Sequence, residues 1–257
     1  GAVWTRHGWW VLGTYVGAVL ESAKWGRVCA AAVPPGPVVA GAFMSYDQLR
    51  LSWYMFFQLT PLADLVVPAD GFEFISRLWQ DWSPGYDCAE DVTRFVDCMN
   101  GDGRVDAALA YYRHTLQPEL QHPELETAQN AAYAVPPQPL LYLHGRNDGC
   151  MRAEIAETSG SVMTVAGSRA VMVDDAGHFL HLERPEVVNA EILSFPKFCE
   201  NNPWPADRDP APVAAAMNAM AVPSYPDSPT GVGFCMFLRR ALLDDVGVFD
   251  MVFGRGY

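Results

Sequence analysis

The chain carries two short apolar runs that each end in a polar, glycine-containing loop, and this pair constrains its fold more than any other feature. Pro139–Leu143 predicts a strand, and its Leu140-Leu141-Tyr142-Leu143 runs into His144-Gly145-Arg146-Asn147-Asp148-Gly149-Cys150. Ala170-Val171-Met172-Val173 runs into Asp174-Asp175-Ala176-Gly177-His178-Phe179, with Leu180-His181-Leu182-Glu183-Arg184-Pro185 behind it. A short apolar run stopped by turn residues reads as a strand buried on both faces, the kind that parallel sheets use. Pro185 suits the start of a helix, where the N–H it lacks would have no partner. An acid, Asp148, and a histidine, His178, thus stand on the loops beyond two strands, where side chains meet at one sheet edge.

The rest of the chain repeats this alternation and then leaves it. Ala2–Thr5 predicts the end of a strand. Trp10–Glu21 predicts a helix with Gly13, Gly17 and Ala18 against the sheet. Arg27–Val33, stopped by Pro34, Pro35 and Pro37, predicts another buried strand. Residues 46–133 are dense in aromatics, and Phe72, Ile75, Leu78, Trp79 and Trp82 fall at helical spacing. Gln117–Leu125 reads as the exit from this helical insertion. Ala153–Thr158 and Glu186–Phe195 predict two further helices. The class is therefore α/β: one parallel sheet from residues 1–45 and 134–195, with residues 46–133 as a helical cap above its C-terminal edge. Prolines crowd the chain after Phe195, so residues 196–257 are expected to form an irregular C-terminal segment.

Composition narrows the partners. Half of the 257 residues are hydrophobic and 18% are charged, which supports a sizeable core. A formal net charge of −13 disfavours a nucleic-acid partner, because phosphates need a basic surface. Residues 28–46 are uncharged but broken by prolines, and Trp9–Leu20 is too short to span, so no membrane segment is expected. No signal peptide is read at the front. Cys29, Cys88, Cys98, Cys150, Cys199 and Cys235 lack CxxC or CxxH spacing. They read as reduced and mostly buried, with no metal site and a cytoplasmic location.

Residues 2–195 resemble an α/β-hydrolase of the epoxide hydrolase branch, close to haloalkane dehalogenases. Four motifs carry the resemblance: Leu143-His144-Gly145-Arg146-Asn147-Asp148-Gly149-Cys150, Ala176-Gly177-His178-Phe179-Leu180-His181-Leu182-Glu183-Arg184-Pro185, Ser52-Trp53-Tyr54-Met55-Phe56-Phe57-Gln58 and Ala110-Tyr111-Tyr112-Arg113. It implies a partial α/β-hydrolase sheet, since that family's early strands and its His-Gly-x-Pro loop would precede Gly1. It implies His178 as base, Asp148 as the acid that orients it, and Tyr112 and Tyr54 as donors to the opening epoxide oxygen. Tyr54–Gln58 is one residue shorter than the family spacing, so Trp53 stands as an alternative to Tyr54. Trp9, Trp53 and Phe179 would line a pocket for a small apolar molecule, and no cofactor is implied.

The resemblance also implies a fault. The family's nucleophile stretch, Gly-His-Asp-Trp-Gly, matches Arg6-His7-Gly8-Trp9-Trp10. Gly8 takes the place of the attacking aspartate, and Arg6 and Trp10 stand where the sharp turn wants small residues. Two alternatives to an impaired hydrolase remain open: a catalytically dead binding domain, and a fragment of an inverting glycosyltransferase. The last follows from a second resemblance, of residues about 189–257 to family-2 glycosyltransferases. Gly233-Phe234-Cys235-Met236-Phe237-Leu238-Arg239-Arg240 through Phe249-Asp250 carries it. The chain reads as a chimera of the two.

Overall fold

The computed structural model describes residues 2–195; residues 196–257, where most of the expected glycosyltransferase resemblance falls, lie outside the described residues. Four strands form one sheet: β1 (Ala2–His7), β2 (Trp25–Ala31), β3 (Leu140–Gly145) and β4 (Arg169–Val173). They lie side by side in chain order, every pair parallel. Helix α1 (Val11–Leu20) joins β1 to β2. Between β2 and β3 the chain is all-helical: α2 (Gly36–Ala42), α3 (Tyr46–Leu51), α4 (Trp53–Phe57), α5 (Pro61–Val66), α6 (Ala69–Trp82), α7 (Ala89–Met99), α8 (Arg104–Leu116) and α9 (Glu126–Ala132). Helix α10 (Ala153–Ser159) joins β3 to β4, and α11 (Leu180–Glu183) and α12 (Pro185–Ser194) follow.

Side-chain alternation explains why β2 and β3 sit in the middle. Val28, Ala30, Leu140 and Tyr142 face α1 and α10, packing on Val11, Tyr15, Ala18 and Ala156. Cys29, Ala31, Leu141 and Leu143 face the other way, onto Val173, Leu180, Val188 and Phe195. Both faces are covered, so the central positions of both strands are apolar, and the buried His144 at the end of β3 has both ring nitrogens within hydrogen-bond distance of a partner.

The structure shifts several sequence-based boundaries for physical reasons. Pro139 has no N–H to give, so β3 begins at Leu140, while the Pro139 carbonyl still accepts from Val28 N at 3.0 Å. The exit at Gln117–Leu125 folds as two single 3₁₀ turns, Pro118–Leu120 and Pro123–Leu125. The buried face of α1 is Val11, Thr14, Tyr15 and Ala18, a run at helical spacing, whereas Gly13 faces open space. Of the expected face, Ala18 packs on the sheet while Gly13 turns away from it, and Tyr15 anchors the helix by donating to Val33 O at 3.0 Å.

Leu143 is fully buried between β2 and the residues around α11. Leu143→Ala is expected to cost about 3 kcal/mol, the transfer loss plus a cavity that a sheet interior cannot collapse. Urea unfolding of the two chains measures it, and a loss under about 1 kcal/mol would contradict the packing described.

Candidate active site

The site is built where three loops leave the same sheet edge. The first follows β1. His7 ends the strand, Gly8 turns with φ +59°, and a 3₁₀ turn (Gly8–Trp10) leads into α1. A side chain built on Gly8 would meet one neighbour within 4 Å, His178 Nε2 at 3.8 Å. Trp10 avoids the tight crossing by turning outwards, edge-on to Tyr111 at 4.9 Å between ring centroids. Arg6 stays half-buried beside the turn, and burial lowers its pKa.

The second loop follows β3. Asp148 accepts through Oδ1 from the backbone N–H groups of Cys150 (2.7 Å) and Met151 (2.9 Å). Its other oxygen, Oδ2, lies 3.0 Å from His178 Nδ1. A carboxylate only accepts, so Nδ1 carries the proton and Nε2 is left facing Gly8. His144 lies behind this pair, its Nδ1 2.7 Å from Tyr142 OH and its Nε2 3.1 Å from Met151 O. Burial lowers the His144 pKa.

The third loop follows β4 and is tied down by the end of α6. The Trp82 carbonyl accepts from both His178 N and Gly149 N, each at 3.0 Å. Ser83 Oγ accepts from Phe179 N at 3.0 Å and donates to Glu183 Oε1 at 2.7 Å. Glu183 Oε2 in turn accepts from Gly177 N at 2.8 Å. A Cβ on Gly177 would sit 2.5 Å from Ser83 Cα, so this approach requires glycine.

Three histidines crowd the His178 loop. His7 Nε2 lies 2.7 Å from the His178 carbonyl, and the His7 ring is 4.9 Å from that of His178 and 4.3 Å from that of His181. Burial, then the neighbouring histidines, hold His7 well below the usual histidine range. Burial, then His178, pushes His181 down to about 4. Burial also opposes charge on His178. There the charges of Cys150 and Asp148 and the hydrogen bonds they make outweigh it, and the pKa rises well above its ordinary value.

The helical insertion brings Tyr54 and Tyr112 together, ring centroids 6.1 Å apart and edge-on. Burial first, then the Cys150 charge, raises both tyrosines, so both stay O–H donors. Tyr54 OH lies 3.1 Å from Cys150 Sγ. Trp53, the alternative to Tyr54, is 47% exposed and packs beside Phe57 and Phe74. It lines a hollow of about 250 Å³ with Leu78, Trp82 and Gly149, and the Trp82 ring lies 5.4 Å from that of His178. A larger hollow, about 410 Å³ between α2 and α10, touches none of the site residues. Trp9 packs on Tyr112 at 4.9 Å, and Phe179 stacks on Trp79 at 3.9 Å.

Sequence reasoning missed Cys150. Donor atoms of Asp148, Cys150 and His178, all buried, lie within 4.8 Å of one another. Asp148 Oδ2 and His178 Nδ1 already share a proton, so the three groups form a hydrogen-bonded cluster. Cysteine spacing along the chain cannot register a cluster that is closed by a distant histidine. The usable signal was local: Cys150 stands two residues beyond the acid, inside the turn that the acid organises.

Comparison with known proteins agrees with this architecture. No family model matches the chain. Human epoxide hydrolase 4 is 24% identical over 156 residues, which cover 58% of this chain and 40% of that protein. Epoxide hydrolase 1 of Caenorhabditis elegans is 24% identical over 176 residues, covering 65% of this chain and 41% of that one. The chain thus spans about two fifths of the length of these curated relatives. Among solved structures, a Bacillus megaterium epoxide hydrolase superposes with a TM-score of 0.57 at 18% identity, over 74% of this chain and 67% of that one. The fold is that of the α/β-hydrolases, and the sequence is similar to those of epoxide hydrolases. Among the described residues, no helix is long and apolar enough to cross a membrane.

Two predictions follow from the loops. Gly177→Ala should destabilise the chain by about 3 kcal/mol, because the new methyl meets the backbone at Ser83 Cα and Trp82 O as well as Ser83 Oγ. A denaturation midpoint within error of the unaltered chain would refute that. The second concerns acid. An unfolded histidine takes a proton near pH 6.5, whereas folded His181 resists until about 4. Its contribution is therefore complete above pH 6.5 and lost as pH falls towards 4, up to about 3 kcal/mol. Urea midpoints measured down that range should fall, and His181→Phe should flatten the decline.

Proposed function

We propose that this chain is an α/β-hydrolase of the epoxide hydrolase type. In this reading it adds water to small apolar epoxides slowly and without a covalent intermediate. One observation carries the proposal: His178 Nε2 faces the position where Gly8 lacks a side chain, 3.8 Å from where a Cβ would stand. The place of an attacking carboxylate is open beside a base that Asp148 orients. A water there gives its proton to His178 while its oxygen bonds to an epoxide carbon and the ring C–O bond breaks. Tyr54 and Tyr112 donate to the oxygen as it becomes an alkoxide, and the proton on His178 completes the diol. Trp9, Trp53 and Phe179 supply apolar walls. Residues 46–133 act as the cap that keeps bulk water out. Losing the nucleophile from such a unit leaves only a small part of the rate, so the activity is impaired.

The pH dependence follows from His178. The base works only when neutral, and its pKa lies well above 6.5. Diol formation from styrene oxide should therefore climb with pH through a midpoint above the ordinary imidazole range. His178→Gln should lower it about 100-fold. Gly8→Asp, which restores a carboxylate at a residue type that tolerates positive φ, should raise it about a thousandfold. If the unaltered chain forms no diol above the uncatalysed rate at any pH, this reading fails and the inert binding domain replaces it.

A further inference from the structure

Cys150 is a nucleophile without a task in the hydrolysis just described, and its surroundings are those of a reactive thiol. Its Sγ lies 3.1 Å from Tyr54 OH, the group that would hold the epoxide oxygen. The His178 ring and the Asp148 carboxylate complete a cluster whose donor atoms fall within 4.8 Å. Nucleophile, base and orienting acid are thereby within reach of one another, the general requirement for activating a thiol. The thiol is 5% exposed and packs with Tyr54, Met55 and Met151, with Trp9, Trp82 and Tyr112 around them. That lining selects apolar partners over charged ones. Gly8 contributes no side chain to compete for His178.

We propose that Cys150 captures small apolar epoxides as a stable thioether, making the site a single-use trap for such electrophiles. In this step the thiol proton passes to His178, and sulfur bonds to the less hindered epoxide carbon. That carbon's bond to oxygen breaks, and the alkoxide, held by Tyr54, takes the proton back as a hydroxyl. No other reactant is needed. An ester on an aspartate can be cleaved by water, but a carbon–sulfur thioether bond cannot, so the adduct persists. The inference rests on the reading of this site as one that admits small apolar epoxides.

Peptide mass spectrometry of the full chain after incubation with styrene oxide tests it, with diol measured in the same samples. One styrene oxide should appear on Cys150. Cys98, the more accessible thiol, beside Arg104, should react more slowly, and Cys29, inside the sheet, should not react. Cys150→Ser should carry no adduct at position 150, and His178→Asn should slow labelling there about 100-fold. Glycidol, short and hydroxylated, should label more slowly than styrene oxide. Labelling of Cys150 no faster than Cys98, or equal labelling rates with and without His178, would overturn the proposal. If His178→Asn proves unfolded by circular dichroism, the Cys150-to-Cys98 ratio in the unaltered chain decides alone. Adduct without diol supports the trap and defeats the hydrolysis; diol without adduct does the reverse.

Discussion

The two lone pairs of one carbonyl hold this site in register. Trp82 O, at the end of α6, accepts from the N–H that follows Asp148 on the β3 loop and from the N–H of His178 itself. A carbonyl can accept two hydrogen bonds, and here both come from loops that leave different strands. The Asp148–His178 bond is held by this carbonyl together with direct bonds between the two loops, Arg146 N to Val173 O at 2.9 Å and Asn147 N to Ala176 O at 2.8 Å. The demand spreads outwards. Gly149 and Gly177 cannot bear a Cβ because residues 81–83 occupy the space. Ser83 and Glu183 close the same turn from the other side. The helical insertion is therefore part of the site's framework.

Gly8 separates geometry from chemistry. The turn keeps a left-handed φ and points its missing side chain at His178. A histidine that is already oriented, flanked by donors and shielded by apolar rings retains much of what a hydrolase asks of its base. What is absent is the attacking atom. The nearby sulfur of Cys150 and a water placed beside Gly8 are the two groups able to supply one, and they differ in what happens next: water leaves a free product, sulfur keeps it.

Much of the fold was legible in the sequence because parallel strands buried on both faces leave a plain trace. Leu140–Leu143, Ala170–Val173 and Arg27–Val33 are short apolar runs stopped by turn residues, and each contains or overlaps an observed strand. The pairing of Asp148 with His178 was readable for the same reason, since both follow such runs. Cys150 was marked in the sequence only by standing two residues beyond the acid; its approach to His178 is made by the folded sheet alone. The face of α1 was misjudged at Gly13 because small residues suggest close packing, while Tyr15 instead fills the interface and bonds to Val33 O. Trp53 and Tyr54 are adjacent in sequence but about 100° apart around the short helix α4, which turns Tyr54 inward and leaves Trp53 half exposed.

His181 has a further consequence. Neither of its ring nitrogens has a hydrogen-bond partner among the described residues, so nothing in its surroundings fixes which nitrogen carries the proton. Most buried histidines have their tautomer chosen by such a partner. Here the choice falls to the local field, and the strongest nearby source is the charge on His178. His181 thus stands as an unpartnered neutral ring beside the base, with two buried polar atoms left unsatisfied among the described residues, where nearly all such atoms find a partner.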